Sequence, residues 1–118
     1  MITLHITLQA KPGQAAEVLR VFAEAYVPAI RRQRGFRRAM LLREHERSDR
    51  FGIDIYFETE TDRLRWVASA DHDAAWPRVE GLAQQICWAG YDILEDAGVK
   101  EPAGGDVRGG AEAPSCET

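Results

Sequence analysis

Ile2-Thr3-Leu4-His5-Ile6-Thr7-Leu8-Gln9 alternates apolar and polar residues without a break, and Phe51-Gly52-Ile53-Asp54-Ile55-Tyr56-Phe57 repeats the alternation later in the chain. A period of two puts successive side chains on opposite sides of a strand, so both segments read as half-buried strands with their Ile, Leu and Phe sides turned to a core. Lys11-Pro12-Gly13 ends the first. From Gln14 the apolar residues Ala15, Leu19, Phe22, Tyr26 and Ile30 recur at steps of three or four and stack on one helical face. Pro28 falls inside that pattern and predicts a kink or a break, because it lacks a backbone donor and clashes with the preceding turn. Gly35 is the expected helix end.

Phe36 to Glu46 reads as a second strand, joined through Ser48-Asp49 to the third as a hairpin. Thr59-Glu60-Thr61-Asp62 is a capping pattern that predicts a helix over 63–70. A further helical piece is expected over 73–85, with Pro77 tolerated only near its first turn, and a fourth strand over 86–94. The order strand, helix, strand, strand, helix, strand predicts an α+β, ferredoxin-like βαββαβ domain over 1–98. Its four-stranded antiparallel sheet has strands one and three at the centre and helices on one face. Residues 99–118 are rich in Gly and Pro and poor in large apolar side chains, which predicts a disordered tail.

The 118 residues carry 15 Lys+Arg against 19 Asp+Glu, a formal charge of −4, with 45% hydrophobic content. This fits one domain and gives no general attraction to nucleic acid. Arg31-Arg32-Gln33-Arg34-Gly35-Phe36-Arg37-Arg38 is a local basic cluster with one aromatic, explained by the negative end of a helix dipole and by Glu44 or Glu46 across the hairpin. No apolar run is long enough for a membrane span, and the first residues lack the pattern of a secretory signal. Cys87 and Cys116 form neither a disulfide framework nor a metal-ligand spacing. The expectation is a cytoplasmic protein with no nucleic-acid or membrane partner.

Parity turns His5, Asp54 and Tyr56 away from the helices on adjacent strands. Strand four adds either Trp88 and Asp92 or Cys87 and Tyr91 to that face; strand two adds Arg38, Met40 and Leu42 or Arg37, Leu41 and Arg43, and a bulge exchanges the sets. A sheet covered on one side leaves its second face for a homodimer partner, and an imidazole, a carboxylate and a phenol there suit a small aromatic ligand. A histidine oriented by a carboxylate can take a phenolic proton near neutral pH. The plainer reading is a set of polar surface or interface residues satisfying one another. Trp66 and Trp76 stand at helical spacing as core residues or ligand walls, and His72, three residues after Ser69, is a cap or a second base.

Lys11-Pro12-Gly13, Gly35-Phe36, Ile55-Tyr56-Phe57-Glu58 and Trp66-Val67-Ala68-Ser69-Ala70-Asp71-His72 followed by Trp76 resemble the antibiotic biosynthesis monooxygenase family, over roughly residues 1–95. The resemblance implies a dimeric α+β barrel. It also implies an oxygenase that uses no metal or flavin and lets the deprotonated phenol or quinol itself reduce dioxygen. On that scheme His5 is the candidate base, Asp54 its orienting partner and Tyr56 a donor to the substrate oxygen, with Trp66, His72, Trp88 and Arg38 as substrate contacts and no cofactor. The haem-opening branch has an Asn and a ligating His where Ile6 and Trp76 stand here, so haem is not expected. The Asn and Trp that polyketide oxygenases carry on strand three fall near Ile53 and Phe57. The alternative function is a non-catalytic, ligand-binding or accessory homodimer.

Overall fold

In a computed structural model, which describes residues 1–101, β1 (Ile2–Ala10) lies between β3 (Arg50–Phe57) and β4 (Ala83–Asp92), and β2 (Phe36–Arg43) flanks β3. The order β2-β3-β1-β4 is antiparallel throughout, as the alternation of β1 and β3 predicts. Ile6, Leu8, Phe51, Ile53, Ile55 and Phe57 are all at most 2% exposed, under one helical layer. Two central strands that turn one apolar side to the core, β3 along its length and β1 from Ile6 onward with Ile2 and Leu4 half-buried, fix their own register, since a slip of one residue would expose their core side chains.

The first helical run consists of α1 (Ala15–Val21), a π-helical turn (Phe22–Tyr26) and α2 (Val27–Arg31). Pro28 neither ends the helix nor leaves it regular: the Val27 amide donates to the Phe22 carbonyl, five residues back, and the widened turn takes up the position where an ordinary ladder would need a donor from Pro28. The helix ends at Arg31, four residues before the Gly35 expected to end it, and Gly35, at φ +79°, instead closes the connection to β2.

Several sequence boundaries move. The Thr59 hydroxyl accepts from the Asp62 amide, so α3 begins at Glu60 (Glu60–Val67). The Ser69 hydroxyl accepts from the His72 amide, so α4 begins at Ala70 (Ala70–Glu80). Pro77 therefore stands inside α4 rather than in its first turn, and it supplies no donor to the Asp73 carbonyl four residues back. Gly81 ends α4 early enough for β4 to start at Ala83, and β2 stops at Arg43, where Glu46 with φ 65° turns the hairpin. Of the tail expected over 99–118, residues 102–118 lie outside the described residues. Cys87 is disulfide-bonded, which corrects the expectation that the cysteine spacing forms no disulfide framework.

Among the described residues no helix is long and apolar enough to cross a membrane.

Candidate functional site

The face of the sheet away from the helices is a grid whose rows follow from the strand registers. Arg38, Tyr56, Thr3 and Tyr91 form one row; Met40, Asp54, His5 and Ala89 the next; Leu42, Gly52, Thr7 and Cys87 the third. Residues that oppose one another across antiparallel strands share a face. Both alternatives left open by the sequence are thereby settled: β2 contributes the Arg38 set and β4 the Cys87 and Tyr91 set.

The register decides β4, but a bulge decides β2. Phe36 opposes Phe57 and Arg38 opposes Tyr56, so Arg37 is the inserted residue. Arg37 pairs with Glu58 at 2.5 Å, while the following residues are re-aimed so that Arg38 shares the face of Asp54 and Tyr56.

At the centre of the grid His5 Nδ1 meets Asp54 Oδ1, with the Asp54 side chain 17% exposed and that of His5 44%. A carboxylate only accepts, so Nδ1 carries the proton and Nε2 presents its lone pair. The Thr7 hydroxyl lies 3.3 Å from Nε2 and is placed to donate to it. Gly52 lies beside the ring: a Cβ there would stand in ordinary contact with His5 Cε1, at 3.4 Å. Thr7 and Gly52 were not singled out from sequence, although both share the parity of the His5–Asp54 pair. This arrangement can hold an imidazole in one tautomer, with its basic nitrogen turned to the open side of the sheet.

The structure does not bring all seven candidate residues together. His5, Asp54, Tyr56 and Arg38 share the open face. Trp66 lies on the opposite side of the sheet at 1% exposure, edge-on to Tyr26 with ring centres 5.7 Å apart. His72 is also in the helical layer, 4.9 Å from the Trp66 ring and stacked on Trp76 at 6.0 Å. Burial lowers the pKa of His72, against opposing attraction from Asp73 and Glu80, and burial pushes the Tyr26 phenol up, partly offset by the Trp66 indole N–H. Trp88 opposes Ile6 and so stands on the helix side of β4, 60% exposed because β4 is an edge strand that the helices do not reach at that point. A pocket with Trp66, His72 or Trp88 beside His5 is therefore not what the fold assembles within one chain. Among the described residues no three His, Cys, Asp or Glu side chains gather where they could hold a metal ion.

Such a fold, with a βαββαβ order and helices on one face, defines a ferredoxin-like α+β protein. The antibiotic biosynthesis monooxygenase family model matches residues 1–78. The chain belongs to that family. Among solved structures it is similar to SnoaB, a cofactor-independent oxygenase from Streptomyces nogalater, at 20% identity and TM-score 0.73, covering 81% of this chain and 95% of that one. It is also similar to a proposed antibiotic biosynthesis monooxygenase from Deinococcus radiodurans (17% identity, TM-score 0.73, 86% and 100% covered). A conserved protein from Methanosarcina mazei has the same fold (13% identity, TM-score 0.69, 76% and 89% covered). No curated protein matches the chain.

Proposed function

We propose that this protein is a cofactor-independent monooxygenase acting on a small phenolic or quinol-like molecule, in the cytoplasm, and that a homodimer encloses the open sheet face. The observation that carries the reading is the His5–Asp54 pair, set at the centre of a face that no helix or strand among the described residues covers. Family membership supports an oxygenase, and the fold shared with SnoaB supports one that needs no added cofactor.

On this reading His5 Nε2 takes the phenolic proton, with Thr7 giving up its hydrogen bond to the incoming hydroxyl. Asp54 holds the tautomer and stabilises the imidazolium. Tyr56 donates to the substrate oxygen, and Met40 and Leu42 supply apolar contact. The substrate anion is the reductant of dioxygen: where a ring CH2 is activated by the phenolate, one oxygen atom becomes the new carbonyl and the other leaves as water.

Oxygen consumption by purified protein with simple quinols and anthrone-type phenols tests this, and His5→Ala is expected to lower turnover by about 10²- to 10⁴-fold, the range for a lost general base. Undiminished turnover in His5→Ala removes the base assignment. The second reading, a homodimer that binds a small ligand without changing it, is favoured by one observation: Thr7 already occupies the nitrogen the base would use. Saturable ligand binding with no oxygen uptake decides for it.

A further inference from the structure

Arg38 is exposed on the edge strand β2 and, among the described residues, has no carboxylate partner, whereas its neighbours Arg37 and Arg50 are held by Glu58 and Glu44. An unmatched guanidinium on an exposed strand is unremarkable by itself. Here the chain inserts a residue to put it there: without the bulge at Arg37, Arg37 would oppose Tyr56 and Arg38 would turn to the helix side with Ile55. The bulge is thus the local distortion that delivers a positive charge to the face of His5, Asp54 and Tyr56.

We propose that Arg38 is the anchor for an anionic group on the ligand, so that this face selects aromatic acids carrying a phenolic hydroxyl at one end and a carboxylate at the other. The proposal rests on the reading that the open face is the ligand site. His5 is two strands from Arg38 and one row along. With strands about 4.8 Å apart and a rise of about 3.4 Å per residue, their Cα atoms lie about 12 Å apart. Both side chains stand off the sheet, which leaves between them the length of a flat two-ring aromatic. The line between them crosses β3 between Tyr56, whose hydroxyl is a donor for either end of such a molecule, and Asp54, whose carboxylate is engaged by His5.

The charges on the face agree with this polarity. Asp54 is engaged by His5, and Arg50 by Glu44 and Gln9, so the free cation stands at one rim and the phenol-accepting nitrogen at the centre. A guanidinium can grip a carboxylate through two parallel hydrogen bonds, which orients the ligand as well as attracting it.

The test uses 6-hydroxy-2-naphthoate and its methyl ester, titrated against the full chain by the fluorescence of the naphthol. The wild type is expected to bind the acid about tenfold more tightly than the ester, with the preference shrinking as salt is raised. Arg38→Gln brings the affinity for the acid down to that for the ester, and Arg38→Lys keeps part of the preference, because an ammonium attracts the carboxylate but cannot grip it at two points. Arg43→Gln, on the same strand but turned to the other side, keeps the whole preference and controls for net charge. Equal binding of acid and ester by the wild type overturns the anionic anchor alone, as does an acid preference that survives in Arg38→Gln. If neither compound binds, the open face is not the ligand site and the proposal falls with the reading beneath it.

Discussion

Replacing Trp66 with Phe tests what the helical layer does. Trp66 is 1% exposed, and its indole N–H is bonded to the Tyr26 hydroxyl, itself on a residue 1% exposed. Phe fills the same direction but returns about 40 Å³, worth about 1 kcal/mol at roughly 24 cal/mol per Å³ of cavity. It also strips the Tyr26 oxygen of a donor in a site water does not reach, which costs about 1 to 3 kcal/mol more. The expected loss is about 2 to 4 kcal/mol, a large share of the 5 to 15 kcal/mol typical of a whole domain. Urea unfolding followed by far-UV circular dichroism reads this directly: with m of about 1.5 kcal/mol/M the midpoint falls by roughly 1 to 3 M. Tyr26→Phe orphans the indole instead, and the double variant removes both groups. Its loss is expected to be about 1 to 2 kcal/mol smaller than the sum of the single losses. Strictly additive single losses, or a Trp66→Phe loss below 1 kcal/mol, refute the buried hydrogen bond as the link between the two helices.

Three further outcomes follow from the same coordinates. Because burial holds the pKa of His72 below its ordinary 6.5, the unfolded chain binds the proton more readily, so this residue withdraws stability as the pH falls through 6.5 toward the folded value; His72→Phe is expected to narrow the difference in unfolding free energy between pH 7.5 and pH 5, and an unchanged difference refutes the assignment. Gly35→Ala puts a Cβ 2.1 Å from Asp62 Oδ2 and 2.7 Å from Asp62 Cβ at φ +79°, a combination no rotamer of Asp62 relieves, and chemical denaturation is expected to show a loss of about 3 kcal/mol. Asp54→Asn replaces an obligate acceptor, and the nitrogen shifts of His5 in a long-range proton–nitrogen spectrum are expected to move away from a purely Nδ1-protonated ring; an unchanged spectrum shows that Asp54 does not set the tautomer.

The sheet was legible because β1 and β3 each turn an unbroken apolar side to the core, which makes their alternation complete. The same alternation reads His5 opposite Asp54. Arg38 was ambiguous for a physical reason: Arg37 and Arg38 are the same residue type, and nothing in an Arg-Arg pair says which member is inserted. Trp88 was ambiguous because β4 is an edge strand whose two sides are both largely exposed, so its composition carries no clear alternation. The start of α4 was missed because Ser69 caps it only three residues after the buried Trp66, closer than the periodicity of either helix can resolve. Pro28 marked the right place for an irregularity, but sequence does not distinguish a kink from a widened turn.

The turn at Phe22–Tyr26 holds one residue more than an ordinary helical turn would, and each residue of a helix advances the next by about 100°. Ala23 is exposed, and removing one residue here would return the turn to an ordinary helical ladder, keeping Tyr26, Ala29 and Ile30 aimed at the core but setting the Pro28 ring against the carbonyl four residues back. In this segment the protein therefore tolerates a change of side chain at Ala23 far more readily than a change of length, and lineages of the family that keep the aromatic layer are expected to conserve the spacing between Phe22 and Tyr26 even where the intervening residues drift.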